Sequence, residues 1–431
     1  MDYIEIIVLV ATFLFLLIIG VPIAYSIGIS GTVTLLISIM PLPAFTTFAQ
    51  RMATALDSFA LLAIPFFILA GQLMNQGGIA MRLIDFAKVL VGRLPGGLAF
   101  VNIIANMLFG AISGSAAASA SAIGSFMTPK MAEEGYDKNF SAAVNITSAT
   151  TGLVIPPSNI LIVYSLASGG VSIAALFLAG YVPGILTGLF LMGVAAAFAY
   201  RKNYPLGEKV GLREGVFKFL DAIPSLFLLV VVIGGIIAGY FTATEASAIA
   251  VLYTLVLSMI YKQVGIKDLP AILLRTVGIT SIVLLLVGTS MGLSWVMSYA
   301  NIPQSVSEGL LAISSNKIVI LLIINIILLA VGIFMDMTPA VLIFTPIFLP
   351  VVADLGVDPI HFGIIMVVNL SVGICTPPVG SVLFIGCSVA KLTIQEVIRP
   401  LLPLFAAMII ALMLITYLPQ LSLWLPSLFG F

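Results

Sequence analysis

The chain has 431 residues, of which 61% are hydrophobic and 8% charged, and its formal net charge is zero. With a mean hydropathy of +1.26, it is too apolar for a water-soluble domain and reads as a polytopic membrane protein. The balanced charge leaves no basic tail for nucleic acid. The only histidine, His361, cannot build a multi-histidine metal site, and Cys375 and Cys387 lack metal-ligand spacing and read as small buried side chains.

A full span needs about 20 apolar residues. In chain order, spans are predicted near 4–20, 22–40, 58–75, 138–168, 174–200, 221–239, 242–261, 275–298, 358–390 and 401–424. The N-terminus MDYIEIIVLV lacks the basic region of a signal peptide and is read as the start of a retained first span. The spans at 138–168 and 358–390 are broken by Gly and Pro-Pro, in TTGLVIPPSN and GICTPPVGS. Segments 96–129 and 317–352 are interrupted at Ser113-Gly114-Ser115 and Asp336-Met337-Thr338-Pro339. Each half of these segments is roughly 15 residues, short for a span, so both are read as re-entrant helical hairpins. Residues 79–93 and 302–313 suit helices lying in the membrane interface. The most hydrophilic stretch, about 201–219, is a linker between two halves, 1–210 and 211–431.

The halves repeat each other. One constant offset places Gly152 on Gly373, Pro156 on Pro377, Pro157 on Pro378, Asp137 on Asp358 and Gly71 on Gly292. Five crossings per half is an odd number, so the second half enters the membrane inverted. With these spans, all of the 17 Lys and Arg residues except Arg51 and Lys317 fall on one side. By the positive-inside rule that side is cytoplasmic and both termini are periplasmic. The predicted fold class is therefore an all-α polytopic inverted repeat with two re-entrant hairpins and two broken helices. Irregular backbone at membrane depth needs protein or a water-filled cavity to satisfy it. Paired breaks at matching positions mark a transport site.

Around the first break stand Asn145, Thr147, Ser148, Thr150, Thr151, Ser158 and Asn159, and the first tip adds Ser113, Ser115 and Ser119. Around the second stand Asn369, Ser371, Thr376 and Ser381, with Asp336 and Thr338 at the second tip. Small neutral oxygen ligands suit a hard monovalent cation such as Na⁺. Singly, such hydroxyls often only back-bond to helix carbonyls. Asp336 can either ligate a cation or bond to the backbone. Glu245 reads as a helix cap with Thr242 or Thr244, and Asp57 as another cap. No catalytic motif is present, and the missing phosphate-binding loop leaves an ion gradient as the energy source.

The segments LLAIPFFILAGQLMNQGGIAMRL (61–83), FGAISGSAAASASAIG (109–124), GLVIPPSNILIVY (152–164), FMDMTPAVLIFTPIFLP (334–350) and GICTPPVGSVLF (373–384) resemble the large membrane subunit of TRAP transporters, the tripartite ATP-independent periplasmic transporters. The resemblance runs nearly end to end. It implies a Na⁺-driven, multi-pass importer of carboxylate-bearing solutes in the bacterial inner membrane, and not an enzyme. It also implies a periplasmic substrate-binding protein and a small four-helix membrane subunit, expected here as a separate chain. The implied motion is an elevator, with hairpins and broken helices moving past a scaffold. By motif, one Na⁺ site falls where Ser113, Gly114 and Ser115 meet Thr150 and Gly152. A second falls where Asp336 and Thr338 meet Gly373 and Thr376. The organic acid, sialic acid or a C4-dicarboxylate, is placed near Ser119, Ser158, Asn159, Pro377 and Pro378. Many C4-dicarboxylate members carry Asp in the stretch after SGSA, and the neutral Ser119 here suits a larger hydroxylated acid. The alternatives are a carrier that needs no binding protein, a channel, which needs no coupling ion, and an intramembrane enzyme, which needs a second acid or base beside Asp336.

Overall fold

The structure is a computed structural model describing residues 3–205 and 211–431. Residues 206–210, with Lys209 and the predicted junction between the halves, lie outside the described residues. In the first half, α1 (Tyr3–Ile18), α2 (Ile23–Ser38) and α3 (Pro41–Leu56) precede a 3-10 turn, Phe59–Leu62, that runs into α4 (Ala63–Gln76). Next come α5 (Ile79–Val91), α6 (Gly97–Ser113), α7 (Ala116–Glu133), α8 (Lys138–Ala149), the 3-10 turn Thr151–Leu153, α9 (Asn159–Ala167) and α10 (Ile173–Lys202). The second half has α11 (Leu212–Ile237), α12 (Ala243–Ile260), α13 (Leu269–Tyr299), α14 (Ile302–Ile313), α15 (Lys317–Phe334) and α16 (Met337–Asp354). It closes with α17 (Pro359–Gly373), α18 (Ser381–Ala390), α19 (Ile394–Tyr417) and α20 (Gln420–Leu428).

Eight helical segments among the described residues are long and apolar enough to cross a membrane: six match predicted crossings, out of ten predicted, and the other two are the arms of the second hairpin. The difference has a physical source. Helices α1 and α2 have 16 residues each, and 16 residues rise only about 24 Å. The broken spans divide into pieces of 12 and 9 residues and of 15 and 10. The hairpin arms, 17 and 18 residues in the first and 18 each in the second, exceed the predicted length. Helix α3 was not predicted as an element, and the last predicted span divides into α19 and α20. Arg51 of α3 stacks over the Trp295 ring at 5.5 Å.

Starts of helices are set by side chains that accept free backbone N–H groups. Asp137 accepts from Asn139 N at 2.8 Å, and its repeat mate Asp358 from Ile360 N at 2.7 Å. Thr242 and Glu245 form a reciprocal capping box on α12, as Thr393 and Glu396 do on α19. Asp57 departs from expectation. It is the C-terminal residue closing α3, and Ser58 precedes the 3-10 turn without a side-chain cap bond.

The halves interleave. Helix α2 packs on α13 while α12 packs on α4, and α7 packs on α18 while α16 packs on α9. Helix α8 packs on α19, and α17 on α10. Helix α5 lies against α6 and α11. Its Arg82 pairs with Asp221 of α11 at 3.0 Å and covers the Tyr261 ring at 3.4 Å. Lys218 of α11 lies 3.7 Å from Asp85. The charged side chains of this predicted interfacial helix are thus partly taken by α11.

Candidate functional site

The first hairpin turns at Ser113-Gly114-Ser115. Gly114 has φ 61°, a left-handed conformation that a side chain disfavours. A Cβ there would also lie 2.6 Å from Asn159 Nδ2. Ser115 caps α7, its hydroxyl accepting from Ala118 N at 3.2 Å. The repeat offset places Ser115 on Asp336, which caps α16 by accepting from Met337 N at 3.0 Å. One tip therefore ends in a neutral cap and the other in a carboxylate.

Each break lies against the first arm of its own hairpin. A Cβ on Gly110 would come within 2.8 Å of Gly152 Cα, and one on Gly332 within 2.9 Å of Gly373 Cα. Only paired glycines allow these backbones to touch. The Pro156-Pro157 and Pro377-Pro378 bonds are both cis. Behind the breaks, amides lock the arms. Asn106 Nδ2 lies 2.7 Å from Asn102 Oδ1, 2.9 Å from Ser148 Oγ and 3.1 Å from Asn145 Oδ1. In the second half Asn369 donates to Asn325 Oδ1 at 2.7 Å. His361 is buried away from the cavity, with Nε2 3.2 Å from Thr416 O. Cys375 and Cys387 are buried as expected.

Both tips and both post-break helix starts converge on one cavity of about 540 Å³. This convergence, rather than arm length, identifies the hairpins as re-entrant: their tips meet inside the molecule. Ser113, Gly114, Ser115, Asn159, Asp336 and Thr338 line the cavity. Asp336 lies deep within the molecule yet keeps an accessible side chain, because it faces this space. The N-termini of α7, α9, α16 and α18 all reach the wall. Their free N–H groups make it locally electropositive.

The other predicted residues lie elsewhere. Thr150 donates to Thr147 O at 2.9 Å and Thr376 to Val372 O at 2.8 Å. With Gly152 and Gly373 they stand where each hairpin arm meets its break, behind the cavity wall. Ser119 is fully buried and donates to Asn106 Oδ1 at 2.7 Å. Ser158 is likewise buried and donates to Leu153 O at 2.5 Å. Pro377 and Pro378 are not in the wall. The placement of Ser119 removes the basis for reading substrate size from its neutral side chain.

Sequence reasoning missed Gln72 and Asn75 of α4, Ser121 of α7 and the cavity position of Ser381. A signal for the first two was present: of the three amides of α4, Gln72, Asn75 and Gln76, the first two stand three residues apart on one face of a helix whose other side chains are apolar. Among the described residues no three His, Cys, Asp or Glu side chains converge as a metal cluster would require.

Paired hairpins and paired broken helices around one cavity define a membrane transporter architecture. The family profile described as "Tripartite ATP-independent periplasmic transporter, DctM component" matches residues 10–421. The chain is 58% identical over 425 residues to "Uncharacterized protein YgiK" of Salmonella typhimurium, covering 99% of this chain and 98% of that one. It is 39% identical over 429 residues to "C4-dicarboxylate TRAP transporter large permease protein DctM" of Rhodobacter capsulatus, covering 96% and 97%. Among solved structures, the YdaH transporter of Alcanivorax borkumensis shares the fold, with a TM-score of 0.64 at 14% identity over 88% of this chain and 87% of that one. The chain belongs to the tripartite ATP-independent periplasmic transporter family as its large permease, DctM, component, and is a transporter subunit rather than an enzyme.

Proposed function

We propose that this protein is the large membrane subunit of a Na⁺-coupled, binding-protein-dependent importer of a carboxylate-bearing organic acid in the bacterial inner membrane. The observation that carries the reading is the convergence of both hairpin tips and both post-break helices on one cavity holding Asp336. The acid enters that cavity from a periplasmic binding protein. A small membrane subunit, as a separate chain, completes the assembly. The positive-inside bias supports periplasmic termini.

The residues present fit a hard cation. Asp336 offers a carboxylate oxygen and Thr338 a hydroxyl at the second tip, both on the cavity wall, with Gly373 and Thr376 behind it. At the first tip Ser113 and Ser115 supply hydroxyls on the cavity wall, with Thr150 and Gly152 behind it, where the break meets Gly110. A hydroxyl that donates to a carbonyl keeps lone pairs for a cation. Bound Na⁺ supplies positive charge next to the acid, and the membrane potential supplies about 2.3 kcal/mol per charge per 100 mV. The acid's carboxylate is oriented by the free N–H groups of α7, α9, α16 and α18. Transport by an elevator motion moves the hairpins and broken helices past the remaining spans, of which α4 and α13 share the cavity wall. The interleaved packing supports two such bodies, because α4 and α13 touch the hairpins from outside.

The test is uptake into proteoliposomes holding this chain with its membrane partner. Labelled acids are supplied with and without a Na⁺ gradient and with and without the binding protein. Uptake requiring both supports the proposal. Uptake requiring neither overturns it in favour of an independent carrier or a channel, and counterflow exchange separates those two.

A further inference from the structure

We infer that the carried acid bears one carboxylate and several hydroxyl groups, and that Gln72 and Asn75 of α4 select for it. The inference rests on the proposed carrier function.

Most buried polar side chains in this protein are occupied. Thr147, Ser148, Thr150 and Thr151 each donate to a carbonyl one turn earlier in the chain. Asn106, Asn145, Asn325 and Asn369 bond to one another or to neighbouring backbone. Six cavity side chains make no protein hydrogen bond among the described residues: Gln72, Asn159 and Thr338 are half-buried, and Asn75, Ser121 and Ser381 are exposed to the cavity's water. Asn159 Oδ1 is enclosed and without a partner. Gln72 and Asn75 bond to no neighbouring helix, so holding α4 in place does not explain them. Both line the same cavity as Asp336 and the first tip's hydroxyls.

Hydrogen-bond chemistry then separates two kinds of acid. A side-chain amide both donates and accepts, and its oxygen needs a donor. An ionised dicarboxylate such as succinate only accepts. When the cavity closes around it, the oxygens of Gln72 and Asn75 lose water and gain no partner, which is the costly outcome for a buried acceptor. A polyhydroxylated acid gives each of them an O–H and takes N–H bonds in return. Charge points the same way. Asp336 is the only ionisable side chain among the lining residues, and no Lys, Arg or His lines the wall. A second carboxylate on the ligand therefore meets no side-chain cation. Size agrees as well: about 540 Å³ lies within the roughly 300–1,000 Å³ of sites that enclose drug-sized ligands, far more than a four-carbon chain fills.

The experiment is uptake by the full assembly of two sets of labelled acids: gluconate, galactonate and N-acetylneuraminate, and succinate, fumarate and glutarate. It is repeated with Gln72→Leu and Asn75→Leu, whose membrane incorporation is measured in the same preparations. We expect entry from the hydroxylated set only. Each leucine variant should raise KM for the transported acid by about tenfold or more, as expected for a lost hydrogen-bond partner, with incorporation unchanged. Uptake confined to succinate, fumarate or glutarate overturns the inference and leaves the carrier function standing. Hydroxylated-acid uptake with unchanged KM in both variants overturns the assignment to α4. Entry of none of the six acids overturns the proposed carriage of an organic acid, a failure distinct from the other two.

Discussion

A Cβ built on Gly373 would lie 2.6 Å from the Cα of Gly332, so α15 and the end of α17 touch backbone to backbone. The first half repeats this contact between Gly110 and Gly152. Each hairpin is thereby seated directly on the break of its own repeat, and the tip beyond it is carried to the cavity. Gly373→Ala forces those backbones apart. Overpacking of this kind costs about 1–3 kcal/mol, so the variant should show a lower Tm in detergent and strongly reduced uptake. Gly193→Ala is the control, because no atom lies within 4 Å of a Cβ there. Unchanged uptake in Gly373→Ala would show that the second hairpin does not depend on this contact.

Asp336 and Ser115 occupy matching cap positions but differ in charge. Asp336→Asn keeps an acceptor for Met337 N and removes the negative charge facing the cavity. It should raise the Na⁺ concentration needed for half-maximal uptake by about tenfold or more, the scale of losing one charged ligand bond. Ser115→Ala should weaken Na⁺ dependence less, since it removes a neutral oxygen. Initial rates across a Na⁺ titration measure both. An unaltered Na⁺ dependence in the two variants would sink the cation assignment.

Arg82 ties α5 to α11 and α12 through Asp221 and the Tyr261 ring. A partly exposed ion pair contributes about 0.2–1 kcal/mol, and an exposed cation–π contact about 0.5–1 kcal/mol. Arg82→Gln should therefore lower Tm modestly and reduce the maximal uptake rate, with KM for the acid unchanged because Arg82 is outside the cavity. Arg82→Lys should not restore the rate, since an ammonium cannot reproduce the flat stacked guanidinium. A wild-type maximal rate in Arg82→Gln would remove any role for this contact in transport.

Asn106 joins α6 to α7 and α8 through Ser119, Asn145 and Ser148. Asn106→Ala leaves those buried groups without their shared partner, at about 1–3 kcal/mol for each unsatisfied group. We expect poor recovery of folded protein and a lower Tm, exceeding the effect of Ser119→Ala. Equal stability of Asn106→Ala and wild type, measured by thermal unfolding in detergent, would contradict the network's role.

The breaks and hairpin turns were legible because Gly and Pro interrupt apolar runs that otherwise read as continuous helix. Capping by Glu245 was also local and matches the observed bond, whereas Asp57 closes α3 instead of capping a helix start. Helix α3 was hidden because PLPAFTTFAQRMATAL is amphipathic and short, and a search for long apolar runs passes over it. The facing of single side chains was the least legible feature. Ser119 and Ser121 are two residues apart on α7, yet Ser119 turns to Asn106 and Ser121 to the cavity. Gln72 and Asn75 join the site only because α4 packs against α6, a tertiary contact that spacing along the chain does not encode.

The most direct measurement is simultaneous entry of ²²Na⁺ and labelled acid into the same proteoliposomes, with the membrane partner and binding protein present. The two should enter together in a fixed ratio, and Asp336→Asn should lower both. Acid entry that proceeds at full rate without Na⁺, with no accompanying ²²Na⁺, would contradict it.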